Sequence, residues 1–400
     1  MQPAGREAHA SRGGAEFELL CRMVQPRPEL AHIRAVLRQD IDFLQLVQLA
    51  GDHGVQPGLI QCLGDLAWDV VPVDARASLE AWQRRHLVRT LALVDEFQRV
   101  ATHLSDKGVV FATFKGPTLA VQLYGGLARR DYSDIDLLVP PVQVDEAERI
   151  LAELGYRSAQ GDRAFRRAFL ASQGQYALER ADSPAAVDLH WDLSGAHLPF
   201  PLTPADVWRE LAPVSIGERS FPGIAGANLA LLLAGHGTKE SWRLLKWVCD
   251  FARMIDRGRD LDWPDIHRRA RARGCGDAVL LGCAISRELL DVAVPSALAG
   301  PIAHSERVHH LALLLSARVR RVPPAPLPTD SFADLALCDS RIGRLTATLR
   351  LAVTPTTGDY RAMPLPKILW PFYYVMRPFR LAAKSVRLGI RRYSAATASR

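Results

Sequence analysis

The sequence predicts an α+β fold: a small mixed β-sheet with flanking helices, a helical segment before it and a helical domain after it. Three observations carry this. Short β-prone runs cluster between residues 109 and 191, whereas apolar residues recur near the 3.6 period on either side of that region. At 400 residues and 48% hydrophobic content, the chain can bury one large core or two. The expected divisions are a disordered start over 1–16, a helical region over 17–105, the sheet-bearing core over 106–194, an irregular linker over 195–224, a helical domain over 225–358 and a basic, aromatic tail over 359–400.

Taken in order, residues 1–16 are rich in Gly, Ala and Arg and carry no legible chemistry. Ile33, Leu37, Ile41, Leu44 and Val47 then fall on a helical stripe, which His53, Gly54 and Val55 close before Pro57 restarts it. His53 reads as a helix-end residue. Residues 75–105 form one long helix with Leu79, Trp82, Leu87, Leu91, Val94, Phe97, Val100 and Leu104 along its apolar side. A β-prone run, 109–113, breaks at Lys115 and Gly116, and Pro117 opens a short helix to Tyr124. After a Gly-rich gap and the pair Arg129 and Arg130, a second strand runs over 134–139. A charged amphipathic helix, 143–154, stops at Gly155. Residues 156–167, with four arginines, read as a solvated hairpin. Residues 175–180 and 186–191 read as a strand pair, and these runs make up the sheet. Five prolines and three glycines mark 195–224 as an irregular connection. Beyond it, helices are expected over 228–236, 241–255, 265–273, 276–291 and 306–320, with a Pro-rich linker over 322–329.

The chemistry concentrates between Val109 and Asp192. A strand has a period of two, so Asp134 and Asp136 share one face while Ile135 and Leu137 take the other. Neighbouring carboxylates repel unless a cation lies between them, and their oxygens suit Mg²⁺ carried by a nucleotide phosphate. Gly116 permits close approach of the backbone to a ligand, and the helix N-terminus beside Lys115 offers NH groups to an anion. In AVDLHWDL, residues 186–193, Asp188, His190 and Asp192 alternate with Val187, Leu189 and Trp191.

The order Lys115-Gly116, then Arg130, then Ser133-Asp134-Ile135-Asp136-Leu137-Leu138-Val139 resembles the polymerase-β-like nucleotidyltransferase superfamily, and within it the bacterial branch of uncharacterised nucleotidyltransferases. Most of the superfamily has Gly-Ser where this chain has Lys115-Gly116, so a cation replaces a phosphate-touching hydroxyl. The resemblance implies a Mg²⁺-dependent enzyme, with Mn²⁺ able to substitute, that transfers a nucleoside monophosphate from an NTP to an acceptor hydroxyl and releases pyrophosphate. Asp134, Asp136 and Asp188 would hold two metals. Asp188, matched by its Asp-Leu-His-Trp context, would also help activate the acceptor. Lys115 and Gly116 would bind the triphosphate, Arg130 and Arg129 would offset charge on pyrophosphate, and Ser133 would fix the turn or meet phosphate. His190 is a partner of the metal ligands or a substrate contact. The run from Gly235 through His236, Trp242, Lys246 and Asp250 also resembles this branch; His236 and Lys246 either contact nucleotide or acceptor, or serve as a helix cap and a Lys246–Asp250 ion pair.

Composition narrows the class further. Six cysteines without a CxxC pair argue against a zinc module and a disulfide framework, and point to a reducing compartment with no disulfide-linked partner. The start lacks the apolar stretch of a secretory signal, so a cytoplasmic protein is expected. The net charge of +7 is concentrated at the end: from Tyr360 onward there are nine Lys or Arg residues and no acid. That tail, 360–400, reads as a last helix docked on the protein with a frayed basic end, because Pro371 and Pro378 interrupt any long amphipathic helix; the alternative is peripheral contact with a membrane surface or another anionic partner. The acceptor, whether a small molecule, a peptide or a protein, is not legible. The alternative is a catalytically inactive nucleotide-binding, membrane-binding or partner-binding protein on the same fold.

Overall fold

The computed structural model describes residues 4–66, 68–158, 163–168, 173–183, 185–195, 198–321 and 338–383. Four helices come first: α1 (Ala4–Met23), α2 (Leu30–Leu37), α3 (Phe43–Asp52) and α4 (Gln56–Asp65). The long α5 (Val73–Asp106) delivers the chain to β1 (Ala112–Thr113), followed by α6 (Gly116–Tyr124), β2 (Asp134–Leu138) and α7 (Val144–Glu153). Next come β3 (Arg157–Ser158), α8 (Arg163–Ala168), β4 (Gln175–Glu179), β5 (Ala186–His190), α9 (Pro204–Arg209), β6 (Ala212–Ile216) and β7 (Arg219–Gly223).

The strands form one seven-stranded mixed sheet in the order β3-β4-β5-β2-β1-β7-β6. β2 runs parallel to β5 and antiparallel to β1, and β7 runs parallel to β1. One sheet face, with Ile135, Leu137, Val187 and Leu189, packs on Phe97, Val100 and Leu104 of α5 and on Ile150 and Leu151 of α7. The other face turns toward the helices that follow: α10 (Gly226–Lys239), α11 (Leu245–Arg257), α12 (Trp263–Ala272), α13 (Gly276–Leu290), α14 (Ser296–Ala303) and α15 (Glu306–Val319). After them come α16 (Arg341–Val353), α17 (Thr357–Ala362) and a last helix over 372–383.

The fold class is as expected, with several local differences. Residues 4–16 continue the helix of residues 17–23 instead of forming a disordered start, and Phe17, Leu19, Leu20 and Met23 bury that helix's latter half. The stretch 195–224 is not an irregular linker: it adds two strands to the sheet. Val214, Ile216 and Phe221 point into the sheet's core, and Gly217, at φ +65°, makes the turn between β6 and β7. Pro213 and Pro222 are register partners at a non-hydrogen-bonded position, where neither NH would face the other strand, and β6 is the edge of the sheet. Within the basic run 156–167, Arg166 is buried against Glu148 and over the Tyr176 ring, not solvated. The first strand is shorter than its β-prone run. The Pro-rich run 322–329 and residues 384–400 of the basic tail lie outside the described residues.

The N-terminal and C-terminal helices share a core. Leu20, Leu46, Leu59 and Leu63 pack in the same apolar cluster as Leu231, Val248, Phe251 and Ile285. Because β6 and β7 are part of the sheet, Phe221→Ala is expected to cost about 3–5 kcal/mol in urea unfolding, the range of a buried aromatic truncation; a loose connection would lose well under 1 kcal/mol.

Candidate active site

The site forms where β2 and β5 lie side by side. Their parallel register pairs Asp136 with Asp188 and Leu138 with His190, so the polar alternates of both strands meet on the face opposite α5 and α7. Ligand atoms of Asp136, Asp188 and His190 all lie within 4.8 Å of one another. Asp136 is fully inside. Its Oδ1 accepts from Lys115 Nζ at 3.1 Å and from His190 Nε2 at 3.0 Å, whereas its Oδ2 is buried without a protein partner.

Lys115 reaches this carboxylate from an unusual backbone. It sits at φ +56°, a region few side-chain-bearing residues adopt, and Gly116 follows at φ +43°. A Cβ on Gly116 would stand 3.2 Å from the Asp134 carbonyl oxygen. The sharp turn thus aims the ammonium at Asp136 and starts α6 directly over the acidic strand.

Titration of the group follows from burial and charge. Burial raises the proton affinity of Asp136, but Lys115 and the His190 hydrogen bond outweigh it and hold this carboxyl well below the usual range. Asp134 is pushed up by burial and by Asp136, with Lys115 and Lys246 opposing. Asp188 is pushed up to about 6 by burial, Asp136 and Asp134. Burial pulls Lys115 down, yet Asp136, Asp134 and Asp188 together leave it raised and charged. His190 is lowered by burial despite Asp136, and His236 far more so by burial with Lys115 and Lys239 beside it. Ionised Asp136 can only accept, so the neutral His190 ring carries its proton on Nε2 and leaves a lone pair on Nδ1.

A cavity of about 330 Å³ opens over these groups. Lys115, Asp134, Asp188 and His190 line it from the sheet, and His236 and Lys239 of α10 from the other side. Gln175 at the start of β4 donates to Asp188 Oδ2 at 3.4 Å.

The other sequence-predicted residues are placed differently. Ser133 is exposed at the turn before β2, and Arg129 is exposed with a guanidinium nitrogen 3.4 Å from the Tyr124 carbonyl oxygen. Neither lines the cavity. Arg130 is buried and gives both a Nε and a terminal nitrogen to Asp250 of α11, each at 2.8 Å. Tyr124 donates to the same carboxylate at 2.7 Å. Asp250 is therefore paired with Arg130 where a Lys246–Asp250 pair was the alternative. Lys246 is lowered by burial and by Arg130, and its backbone NH donates to the His53 carbonyl. Its side chain lies against Gly54, where a Cβ would come within 2.9 Å of it. His53 does end α3, and its Nδ1 accepts from the Leu245 NH.

Sequence reasoning missed Gln175 and Lys239. Lys239 had a signal, since it follows His236 by about one helical turn, whereas Gln175 is brought to the site only by the β4–β5 register that pairs it with His190.

The donor set suits a divalent cation with an oxygen preference. Three carboxylates stand against one ammonium in the middle of the group, and the buried Asp136 Oδ2 is a polar atom awaiting a partner. Beside it, the N-terminus of α6 offers NH groups to an anion. A metal-competent acid cluster next to an anion-binding helix start is the combination by which enzymes handle nucleoside phosphates. The family model described as uncharacterised nucleotidyltransferase matches residues 39–291, and the chain belongs to that family. No curated protein and no solved structure matches the chain.

Asp188 holds its proton to about pH 6 in the folded protein, against 3.8 for the free side chain. The folded state therefore binds the extra proton between those values, and metal-free stability should fall as pH rises through that window. Thermal unfolding in chelator from about pH 4 to about pH 7 should show this decline flattened in Asp188→Asn. An unchanged slope would assign the decline to another group.

Proposed function

We propose that the protein transfers a nucleoside monophosphate from an NTP to a hydroxyl of an acceptor, with pyrophosphate as leaving group. The observation that carries this reading is the β2–β5 register, which sets Asp136 beside Asp188 and leaves Asp136 Oδ2 free and buried. Family membership supports NTP as the donor.

Asp136 and Asp188, with Asp134 at the cavity wall, would hold Mg²⁺ or Mn²⁺, and His190 would either fix Asp136 through Nε2 or ligate in its place. A bound divalent ion supplies charge neutralisation at the phosphates and lowers the proton affinity of an adjacent hydroxyl. The remaining work belongs to the chain. The α6 N-terminus and Lys115 receive the triphosphate, and Gly116 lets it approach the backbone. Asp188, at the cavity wall, accepts the acceptor's hydroxyl proton at a carboxylate oxygen. The freed oxygen bonds to the α-phosphorus, and the bond from that phosphorus to the pyrophosphate oxygen breaks. His236, Lys239 and Gln175 line the same cavity and would contact the acceptor. Arg130 keeps the strand entrance in place through Asp250 and does not contact the leaving group.

Calorimetric titration of each common NTP in Mg²⁺ tests the reading. The intact protein should bind one NTP in a metal-dependent way, and Asp136→Ala should abolish binding. Lys115→Met should weaken it by about tenfold or more, the value of a lost charge-assisted contact. Metal-independent binding, or binding undisturbed by Asp136→Ala, would overturn the site as drawn.

A further inference from the structure

Eleven of the twenty large apolar side chains that are exposed among the described residues lie in one short stretch, from Ile342 to Phe379. In α16 they are Ile342, Leu345, Leu349 and Val353, spaced by three or four residues and therefore on one side. The opposite side of the same helix buries Ala347 and Leu351. The helix over 372–383 repeats the pattern, burying Tyr373 and Arg377 while Phe372, Val375 and Phe379 face outward. Ile342 is 80% exposed, Ile368 86% and Phe379 73%. A helix that only had to dock on its own protein would need one apolar side, and α16 has two.

The stretch is folded on itself and meets α8. Arg377 donates to the Leu351 carbonyl at 2.9 Å and to Asp359 at 2.7 Å, and the Tyr373 hydroxyl donates to the Met363 carbonyl at 2.6 Å. Phe165 of α8 packs against Tyr360, Trp370 and Tyr373. The outward apolar residues therefore belong to a formed surface.

Charge identifies what this surface meets. Residues 340–383 contain one acid, Asp359, which is buried and paired with Arg377 and Arg380. Arg341, Arg350, Arg361 and Lys367 are exposed around the apolar residues, and the chain from 384 to 400 adds five cations and no acid. We infer that α16 and residues 368–379 lie in the headgroup–acyl boundary of an anionic bilayer, with the apolar stripes inserted and the cations at the acidic headgroups. Two copies of the chain meeting through this face would bring like charges together, whereas an acidic bilayer supplies both the apolar interior and the countercharge. No helix among the described residues is long and apolar enough to cross a membrane, so the contact lies in the plane of the surface.

Co-sedimentation of the full chain with vesicles of phosphatidylcholine mixed with phosphatidylglycerol tests this, with pure phosphatidylcholine as control. The intact protein should pellet with the acidic vesicles, less so as salt rises, and weakly with the neutral ones. Leu345→Asp with Leu349→Asp, and separately Phe372→Asp with Phe379→Asp, should each lower partitioning by about tenfold or more. These positions are exposed, and circular dichroism checks that both variants stay folded. Absence of pelleting on both vesicle types, or equal pelleting by the intact protein and the variants, would overturn the inference. Self-association in sedimentation velocity that the same substitutions disperse would assign the face to a second copy and overturn it as well.

Discussion

The crowding of acids on the β2–β5 face is the constraint that the rest of the site accommodates. Asp134, Asp136 and Asp188 stand together in a half-buried setting where like charges repel strongly. Lys115 resolves enough of that repulsion for the sheet to form. Its ammonium holds Asp136 ionised, while burial, and after it the Asp136 charge, makes the remaining two acids grip their protons more tightly. A residue at φ +56° typically carries about 1–3 kcal/mol of local strain. Glycine would relieve it and would also remove the cation, so the strained backbone and the charge come as one feature.

A second interaction fixes how the helices cover this face. Arg130, on the approach to β2, is bound by Asp250 of α11, and Tyr124 at the end of α6 closes on the same carboxylate. The end of α6 and the approach to β2 thus converge with the sequence-distant α11 on one buried ion pair. Removing one partner of such a pair leaves a stranded charge, typically at a cost of about 3–5 kcal/mol. The wall with His236 and Lys239 is held over the acids by this tie and by the shared apolar core, while the His53-Gly54 turn pins the first turn of α11 from the N-terminal side.

Much of this was legible in the sequence, because alternation in a strand leaves a strong trace. Asp134, Asp136, Asp188 and His190 could be placed on one face from spacing and resemblance alone. Arg130 was not legible in the same way: a cation just before an acidic strand reads as a phosphate ligand, and only tertiary pairing with Asp250, 120 residues later, shows it occupied. The β6–β7 pair was hidden by Pro213 and Pro222, which a sheet tolerates here because they sit at a non-hydrogen-bonded pair beside its edge. Gln175 was hidden by its neutral amide, which carries no signal until the strand register is known. The exposed side of α16 could not be separated from its buried side by periodicity, since both are apolar.

The apolar cluster shared by the first four helices and those after residue 225 also bears on how the chain reaches its native state during synthesis. Leu20, Leu46 and Leu59 leave the ribosome long before Leu231, Val248 and Ile285, their packing neighbours, exist. The early helices must therefore persist as an incomplete, sticky hairpin array while the sheet is being made. Contacts of such large sequence separation are slow to close. In this architecture the acidic sheet face is capped at the same late moment that the early helices find their partners, so a chain arrested before α11 would present both an unfinished core and an uncovered acidic face to chaperones.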